Sequence, residues 1–498
     1  MFRLFFLLVS LFLFCSNASA QSSLVQGNLL EKSAVLEDID LLERALTEIH
    51  PGVYRYMTPE DLKKEIELFK NELPAQISEG ELMKRMAQLL THIKCGHTYV
   101  NPWNMDSDLR QRLFGGEIFL PVGFTIVEGR FYVTENASSE NSLQRGAEIH
   151  RINGHPTPLI YEQLKTIARS DGNNTTPYDN YLSLKDYQEY LWNAFDLYFP
   201  LFFPLTSGEF EIEFQNYQSD QVQKVTVKAL SKAERAEKMI AKYGDEVMAS
   251  KRWKLQIINN DLAVIKLGTF AIWNWKNFNY KTWLKDAFKE INSKGIKHLV
   301  IDIRGNGGGM GEPRDELMTY LTNKKLDCEE DGKVLIRTTK VDESLHPYCD
   351  TYAKPLLSGL PKSKFAPFDQ NWFELKEKGD CVTIKPKKDR FTGTVYVFGN
   401  GSNVSATYQQ LDKLKRNGLA TLIGDTSGGN LQGVNGGQYI FFRLPNSKME
   451  VDIPLKFFAP KNPQPDSGVV PDVKVTVTQQ SIAEGKDAYL DYVLSLLK

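Results

Sequence analysis

The sequence predicts a multidomain α/β protein, and three observations indicate this fold class. The chain has 498 residues, enough for two to four domains. From about residue 252 the patterns of strand and helix alternate, which predicts a largely parallel sheet. Residues 35–94 instead carry apolar side chains at helical spacing, and strand patterns dominate from about residue 117.

Residues 1–20 have the layout of a secretory signal peptide. An apolar run from Leu4 to Cys15 follows Arg3, and the small-x-small sequence Ala-Ser-Ala ends at Ala20. We expect cleavage after Ala20 and a periplasmic or extracellular mature protein. The run is too short for a spanning helix, which needs roughly 20 apolar residues. A lipid anchor at Cys15 is the weaker alternative, because no small residues precede that cysteine. We expect no integral membrane span elsewhere.

Residues 21–110 predict a helical N-terminal domain. In the second helix, Thr58 is the expected cap and Pro59 the first helical residue. The third helix is expected to stop at Gly96, within the sequence KCGHTYV. A short strand is expected at the Thr-Tyr-Val that ends this sequence.

Residues 115–232 predict a β domain with an inserted, aromatic-rich helical segment. The stretch NSLQRGAEIHRINGHPT within it resembles part of a PDZ domain. The matching residues are Leu143, Gly146, Ile149, Ile152, Asn153 and Gly154. An ordinary strand–turn–strand is the alternative interpretation. A PDZ-like groove would bind a chain end or an extended segment by strand addition.

The charge balance and the cysteines limit the classes of partner. The chain has 60 basic and 62 acidic residues without a block of either sign, so no nucleic-acid partner is predicted. The four cysteines after residue 20 allow three disulfide pairings. No spacing of a structural zinc site occurs among them. These cysteines are Cys95, Cys328, Cys349 and Cys381.

The sequence VIDIRGNGGGMGE, residues 300–312, predicts a buried strand that ends in a glycine-rich turn. Such a turn can direct backbone N–H groups at an anion or an oxyanion. The nucleotide-binding patterns do not fit, because Met310 stands where Gly-x-Gly-x-x-Gly requires glycine and no Gly-Lys-Ser/Thr follows.

A second strand and turn precede a predicted helix in GNGSNVSATYQQLDKLKRNG, residues 399–418. By itself, a serine at such a place is most often a helix cap. A hydroxyl there also lies at the positive end of a helix. The N–H of Ala406, together with one from Gly308 or Gly309, could then stabilise an oxyanion.

Taken together, these stretches resemble the C-terminal processing peptidase family, which includes the tail-specific proteases and the catalytic core of tricorn protease. The resemblance covers most of the chain from about residue 90. The matching residues are Asp302, Arg304, Asn306, Gly308, Gly309, Ser405, Ala406, Gly424, Asp425, Gly428, Gly468, Val469, Pro471 and Asp472.

This resemblance implies a crotonase/ClpP-like α/β core over residues 250–498, with a cap insertion at about 325–390. It implies a serine endopeptidase that acts on a peptide or protein, with Ser405 rather than Ser402 as the nucleophile. Ala406 and one glycine of the pair Gly308–Gly309 would form the oxyanion hole. No cofactor and no metal are implied, and the oligomeric state is left open.

The general base departs from the pattern of the Ser–Lys members. Asn430 stands where they have lysine, and residues 417–447 contain no lysine. The His-using, tricorn-like branch takes its base from an N-terminal segment that KCGHTYV resembles, which assigns this role to His97. For the residue that orients this histidine, the resemblance favours Asp466, with Glu450 as the second choice.

Two alternatives to an exported serine peptidase remain open. The chain could be a peptide-binding pseudo-protease that has lost its lysine. It could also be an esterase or another acyl hydrolase, because the same nucleophile attacks esters.

Overall fold

The computed structural model describes residues 27–116, 118–187, 193–244, 252–327, 332–376 and 382–498. The predicted signal peptide, Cys328 and Cys381 lie outside these ranges. Cys95 and Cys349 are not joined to each other. Within the described ranges, no helix is both long and apolar enough to cross a bilayer.

The N-terminal segment is helical, as predicted. Thr58 caps its second long helix: Thr58 Oγ1 accepts from the Asp61 N–H at 3.1 Å, and the Asp61 carboxylate accepts from the Thr58 N–H at 3.1 Å. The expected stop at Gly96 is wrong, because the third long helix already ends at Thr91. The elements are β1 Leu29–Glu31, α1 Lys32–Ile49, α2 Pro59–Asn71, β2 Gln76–Ser78, α3 Glu79–Thr91 and α4 Ser107–Phe114.

An antiparallel sheet with strand order β3-β4-β5-β7-β8 follows. Asn153 and Gly154 both have positive φ, 50° and 78°, and form the two-residue turn between β5 and β6. The elements are β3 Val122–Val127, β4 Arg130–Asn136, β5 Glu148–Ile152, β6 His155–Pro156, α5 Thr157–Lys165, α6 Pro177–Leu182, α7 Ala194–Phe202, β7 Glu209–Gln215, β8 Val222–Lys228 and α8 Lys232–Tyr243.

The predicted parallel sheet has the order β20-β17-β16-β11-β10-β9. All its pairings are parallel except that of β9 with β10. Because parallel strands end at one edge, the turns after β11 and β16 lie side by side. The elements are β9 Trp253–Ile257, β10 Leu262–Leu267, α9 Tyr280–Ser293, β11 His298–Asp302, α10 Gly311–Leu321, β16 Thr394–Gly399, α12 Ser405–Arg416, β17 Thr421–Gly424, β20 Val473–Lys474, α13 Gln479–Ala483 and α14 Ala488–Leu496.

The segment predicted as a cap, residues 325–390, contributes strands to a further antiparallel sheet of order β13-β18-β19-β12-β15-β14. Two of its described strands, β12 and β13, pair directly with the long hairpin of β18 and β19, and β15 and β14 extend the same sheet beyond β12. The elements are β12 Lys333–Ile336, β13 Cys349–Asp350, α11 Lys354–Ser358, β14 Phe365–Pro367, β15 Phe373–Leu375, β18 Val434–Arg443 and β19 Glu450–Ala459.

Apolar packing divides the molecule differently from the sequence-based boundaries. One continuous core joins α1–α3, the sheet of β3–β8 and the β18–β19 hairpin. A second core lies between the parallel sheet and α9, α10 and α12, and a third lies under α14 on the opposite face. The N-terminal helices therefore pack against the β18–β19 hairpin that follows the catalytic candidates in sequence.

His50, at the end of α1, links this helix to the segment that holds His97. It is fully buried, with His50 Nε2 at 2.8 Å from Thr98 Oγ1 and His50 Nδ1 accepting from the Gly52 N–H at 3.0 Å. Burial lowers the pKa of His50 to about 3. The imidazole is therefore neutral in the folded chain.

We predict that His50 contributes to acid unfolding. Its folded pKa lies below the unfolded value of about 6.5, so its stabilisation is complete above pH 6.5 and is lost as the pH falls towards 3. When the pH is lowered from 7 to 5, the unfolding free energy measured by urea titration should fall in both proteins. The fall should be about 2 kcal/mol smaller in His50→Gln than in the wild type. His92→Gln, at the exposed end of α3, is the control. Equal losses in all three proteins would contradict this role.

Candidate active site

Ser405 lies at the turn between β16 and α12, with a φ of 53°. Residues other than glycine rarely adopt this left-handed conformation, and such strained positions are enriched at functional sites. The N-cap of α12 is Val404, and no side chain caps the helix. Neither Ser402 nor Ser405 is thus a cap, and the Ser405 hydroxyl has no hydrogen-bond partner among the described residues. A strained serine between a strand and a helix is the usual setting of a nucleophile.

Two buried asparagines hold this turn against the glycine-rich turn. Asn403 Nδ2 donates to the Ile303 carbonyl at 2.6 Å and to the Asn306 carbonyl at 3.1 Å. Asn306 Nδ2 donates to the Leu267 carbonyl at 2.8 Å, and its Oδ1 accepts from the Gly308 N–H at 2.9 Å. Both amides are completely buried. The two turns therefore form one rigid unit.

The glycine-rich turn lies directly against Ser405. A Cβ on Gly308 would come within 2.9 Å of Ala406 N and Ser405 Cβ, so a side chain does not fit there. The Gly308 carbonyl accepts from Phe270 N at 3.0 Å. In a trans peptide the next N–H points the opposite way, so the Gly309 N–H points away from Phe270.

Two backbone donors are consequently available near Ser405. Among the described residues, neither the Gly309 N–H nor the Ala406 N–H has an acceptor. The Gly308 N–H, in contrast, already donates to Asn306 Oδ1. Of the two predicted glycines, Gly309 is the one whose donor remains open to an oxyanion.

His97 lies in the segment after α3 and faces the β18 strand. Its ring centroid is 6.0 Å from that of Tyr439, and a Cβ on Gly436 would lie 3.8 Å from His97 Nε2. Burial lowers the pKa of His97, the negative charge of Asp171 raises it, and Arg169 lowers it. The ring is thus expected to be neutral near pH 7, as a general base requires.

Asp171 lies beside His97, although no sequence pattern points to it. Its Oδ1 accepts from the Gly96 N–H at 3.0 Å, and a Cβ on Gly96 would touch its carboxylate at 3.1 Å. The side chain is 3% exposed. Burial raises the pKa of Asp171, whereas His97 and the Gly96 N–H lower it.

Asn430, at the position of the lysine in Ser–Lys members, is also completely buried. Its Nδ2 donates to the Asp171 carbonyl at 2.8 Å and to Asp466 Oδ1 at 2.6 Å. Its Oδ1 accepts from the Gln432 N–H at 2.8 Å. This amide connects two loops, and it has no basic group to offer to Ser405.

The structure places both predicted orienting acids away from His97. Asp466 accepts from the Asn173 N–H at 3.0 Å and from Asn430, and it is partly exposed. Glu450, at the start of β19, accepts from Arg443 Nη2 at 3.0 Å. No hydrogen bond or ion pair between His97 and either acid is found among the described residues.

Ser405 and His97 share no hydrogen bond in the described structure, but contiguous loops connect them. The loop of residues 427–433 donates an N–H to the Asn403 carbonyl at 3.0 Å. The same loop accepts from Asn174 Nδ2 at 2.6 Å, next to the segment that carries Asp171. The loop of residues 427–433 therefore contacts both the turn that precedes Ser405 and the segment that carries Asp171.

The segment SDGNNTT, residues 170–176, is the part of the site that sequence reasoning missed. Its only signal is an Asp-Gly-Asn run, which predicts a turn and no chemistry. Gly172 has a φ of 62°, and a Cβ there would lie within 2.6 Å of polar atoms of Asn430, Asp466 and Tyr56. Glycine is therefore required where these loops cross.

No group of three or more His, Cys, Asp and Glu side chains within the described ranges could hold a metal ion. The chemistry that this site offers is that of a hydroxyl, an imidazole, a buried carboxylate and two open backbone donors. This set of groups suits acyl transfer.

Comparison with known proteins agrees with this chemistry. Residues 261–475 match the model of peptidase family S41. The fold is similar to that of mature CPAF complexed with lactacystin, with a TM-score of 0.62 and 15% identity over 93% of this chain and 97% of that chain. No curated protein sequence matches the chain.

Two further solved structures resemble the chain more distantly. The photosystem II D1 C-terminal processing protease has a TM-score of 0.40 and 14% identity, covering 92% of this chain and 98% of that chain. Tricorn protease has a TM-score of 0.40 and 14% identity, covering 94% of this chain and 36% of that chain. Residues 261–475 of this chain therefore resemble peptidase family S41.

Proposed function

We propose that the protein is an exported serine endopeptidase in which Ser405 is the nucleophile and His97 the general base. The observation that carries this proposal is the setting of Ser405. It has a strained φ of 53° at a strand-to-helix turn, and two unused backbone N–H groups lie beside it. The unpaired N–H groups could stabilise an oxyanion, and the strained turn resembles the strand-to-helix setting of other serine nucleophiles.

In the proposed reaction, Ser405 Oγ forms a bond to the carbonyl carbon of the substrate while its proton passes to His97 Nε2. The carbonyl oxygen becomes an oxyanion, which the N–H groups of Ala406 and Gly309 stabilise. Collapse of the intermediate breaks the C–N bond, and the protonated His97 gives its proton to the leaving amine. Water then attacks the carbonyl carbon of the acyl-enzyme while His97 accepts a proton from the water. His97 returns this proton to Ser405 Oγ as the acyl group leaves.

The direct hydrogen bond between Ser405 and His97 remains a prediction. Catalytic hydrogen bonds are often long or misaligned without substrate and become short only in the complex. Burial lowers the pKa of His97, so its imidazole is ready to accept a proton without prior deprotonation. Asn430 cannot replace it, because an amide nitrogen is not basic.

A peptide or protein is the proposed substrate, and the sheet of β3–β8 is the proposed PDZ-like site for an extended segment. The β18–β19 hairpin and the strands of residues 325–390 could cover the bound chain. A pseudo-protease or an esterase would share this fold, so the experiments below measure chemistry and not binding alone.

The first prediction concerns the nucleophile. Ser405→Ala should abolish labelling by a fluorophosphonate and lower peptide hydrolysis at least about 10³-fold, because among the described residues no other Ser, Thr or Tyr has a positive φ. Unfolding free energy should change by no more than about 1–2 kcal/mol.

Ser402→Ala is the matched control, because it alters the neighbouring hydroxyl of the same turn. It should keep its activity and its labelling at Ser405, located by peptide mapping. The assignment is wrong if Ser402→Ala is inactive and Ser405→Ala is active. Absence of labelling and hydrolysis in the wild type would favour the pseudo-protease.

The second prediction concerns the base. His97→Gln should lower kcat about 10²- to 10⁴-fold on a chromogenic peptide, the range of general-base catalysis. In the wild type, kcat/KM should fall with decreasing pH, since protonated imidazole cannot accept a proton. The midpoint of this fall should lie below the ordinary histidine value of about 6.5, because burial lowers the pKa of His97.

His155→Gln, at a distant partly buried histidine on β6, serves as the control for the loss of an imidazole. Full turnover in His97→Gln would exclude His97 as the base. An acid limb well above pH 6.5 would indicate a different titrating group.

The third prediction concerns export. The mature protein recovered from its native host should begin near Gln21, because the small-x-small sequence ends at Ala20. Intact mass spectrometry of the secreted or periplasmic fraction measures this directly. A mass that retains unmodified residues 1–20 would contradict cleavage, and an added lipid mass would indicate an anchor.

A further inference from the structure

We propose that Asp171 is the residue that positions His97, in place of the acid that the family pattern predicts. This inference rests on the proposed function, since it assigns a partner to the proposed base. When substrate is bound, Asp171 Oδ2 would accept a hydrogen bond from His97 Nδ1–H. The lone pair of His97 Nε2 would then face Ser405.

The first argument is the anchoring of Asp171. Its Oδ1 accepts from the N–H of Gly96, the residue directly before His97, at 3.0 Å. Its backbone carbonyl accepts from Asn430 Nδ2 at 2.8 Å. The Asp171 carboxylate is thus held at the residue before His97, and the Asp171 backbone is held by Asn430.

The second argument is a pair of unused atoms. Asp171 Oδ2 and His97 Nδ1 are both buried and both lack a hydrogen-bond partner in the described part of the chain. Leaving a buried polar atom without a partner costs about 1–3 kcal/mol. A hydrogen bond between these two atoms in the substrate complex would remove both penalties.

The third argument excludes the other carboxylates. Both oxygens of Asp466 are already occupied, by the Asn173 amides and Asn430, and its side chain is partly exposed. Glu450 Oε2 is paired with Arg443 at 3.0 Å, and although Glu450 Oε1 is buried without a partner, Glu450 is not among the charges that shift the pKa of His97. Asp171 alone among these acids is in electrostatic contact with His97.

Several charged or titratable groups face His97 from the elements packed around it, and they decide the sign of the pH effect. Among them only the Asp171 carboxylate raises the pKa of His97, whereas Arg169 lowers it. Removal of the carboxylate charge should therefore lower that pKa further. The groups that surround His97 are His50, Cys95, Tyr99, Arg169, Asp171 and Tyr439.

The test compares Asp171→Asn with Asp466→Asn in the full mature chain. Asp171→Asn keeps Oδ1 for the Gly96 N–H and replaces only the oxygen proposed to accept from His97. We expect kcat to fall at least about 10²-fold with little change in KM, because Asp171 acts on the base and not on the substrate. The acid limb of kcat/KM should move to lower pH, which a merely structural residue would not cause.

Asp466→Asn, which disturbs the hydrogen bonds to Asn173 and Asn430, should leave the acid limb of kcat/KM unchanged whatever its effect on kcat. Asp171→Glu should recover part of the activity, since it restores a carboxylate. Unchanged kcat and acid limb in Asp171→Asn, with both altered in Asp466→Asn, would overturn this inference while the roles of Ser405 and His97 stand. Full activity in His97→Gln would instead overturn the proposed function itself.

A measurement on the wild-type chain covers the case in which Asp171→Asn fails to fold. After phosphonylation of Ser405, proton NMR should show a low-field Nδ1–H resonance from a histidine bonded to a carboxylate. It should be lost in His97→Gln and retained in Asp466→Asn. Absence of this resonance from the phosphonylated wild type would overturn the inference.

Discussion

Hydrogen bonds from buried asparagine amides to backbone carbonyls hold the loops of this site in place. Asn403 reaches across to the glycine-rich turn, Asn174 to the loop of residues 427–433, and Asn430 to the segment that carries Asp171. Each joins stretches at least 97 residues apart. A loop that is buried away from water must pair its backbone groups, and these side chains supply the partners that strands or helices would otherwise provide.

The same amides explain how the site can exist without the lysine of the Ser–Lys members. Asn430 is fully buried and makes hydrogen bonds to two carbonyl or carboxylate oxygens. A lysine there would have to be desolvated among these groups, and burial of an ammonium is costly unless a negative charge compensates it. The position thus serves to connect loops, and in the proposed mechanism the proton acceptor comes from the N-terminal segment.

Burial shifts the pKa values of His97 and Asp171 in opposite directions. It favours the neutral imidazole of His97 and raises the pKa of the Asp171 carboxyl, while each of the two groups favours the charged form of the other. In the proposed mechanism, the carboxylate would stabilise the imidazolium that forms during turnover. The common core of the N-terminal helices and the β18–β19 hairpin keeps this pair in place, because it joins both elements around His97.

The sequence by itself determined the parallel sheet and the two turns at its edge, because these depend on local patterns of strand, turn and helix. The candidates Ser405 and Ala406 came from its resemblance to a known family. It also pointed to His97 through a short motif. Only the tertiary structure decided that residues 325–390 pair with β18 and β19, that the Gly308 N–H is already used, and that Asp171 adjoins His97. These facts depend on contacts between residues far apart in the chain, and a turn such as SDGNN carries no local signal of what will pack against it.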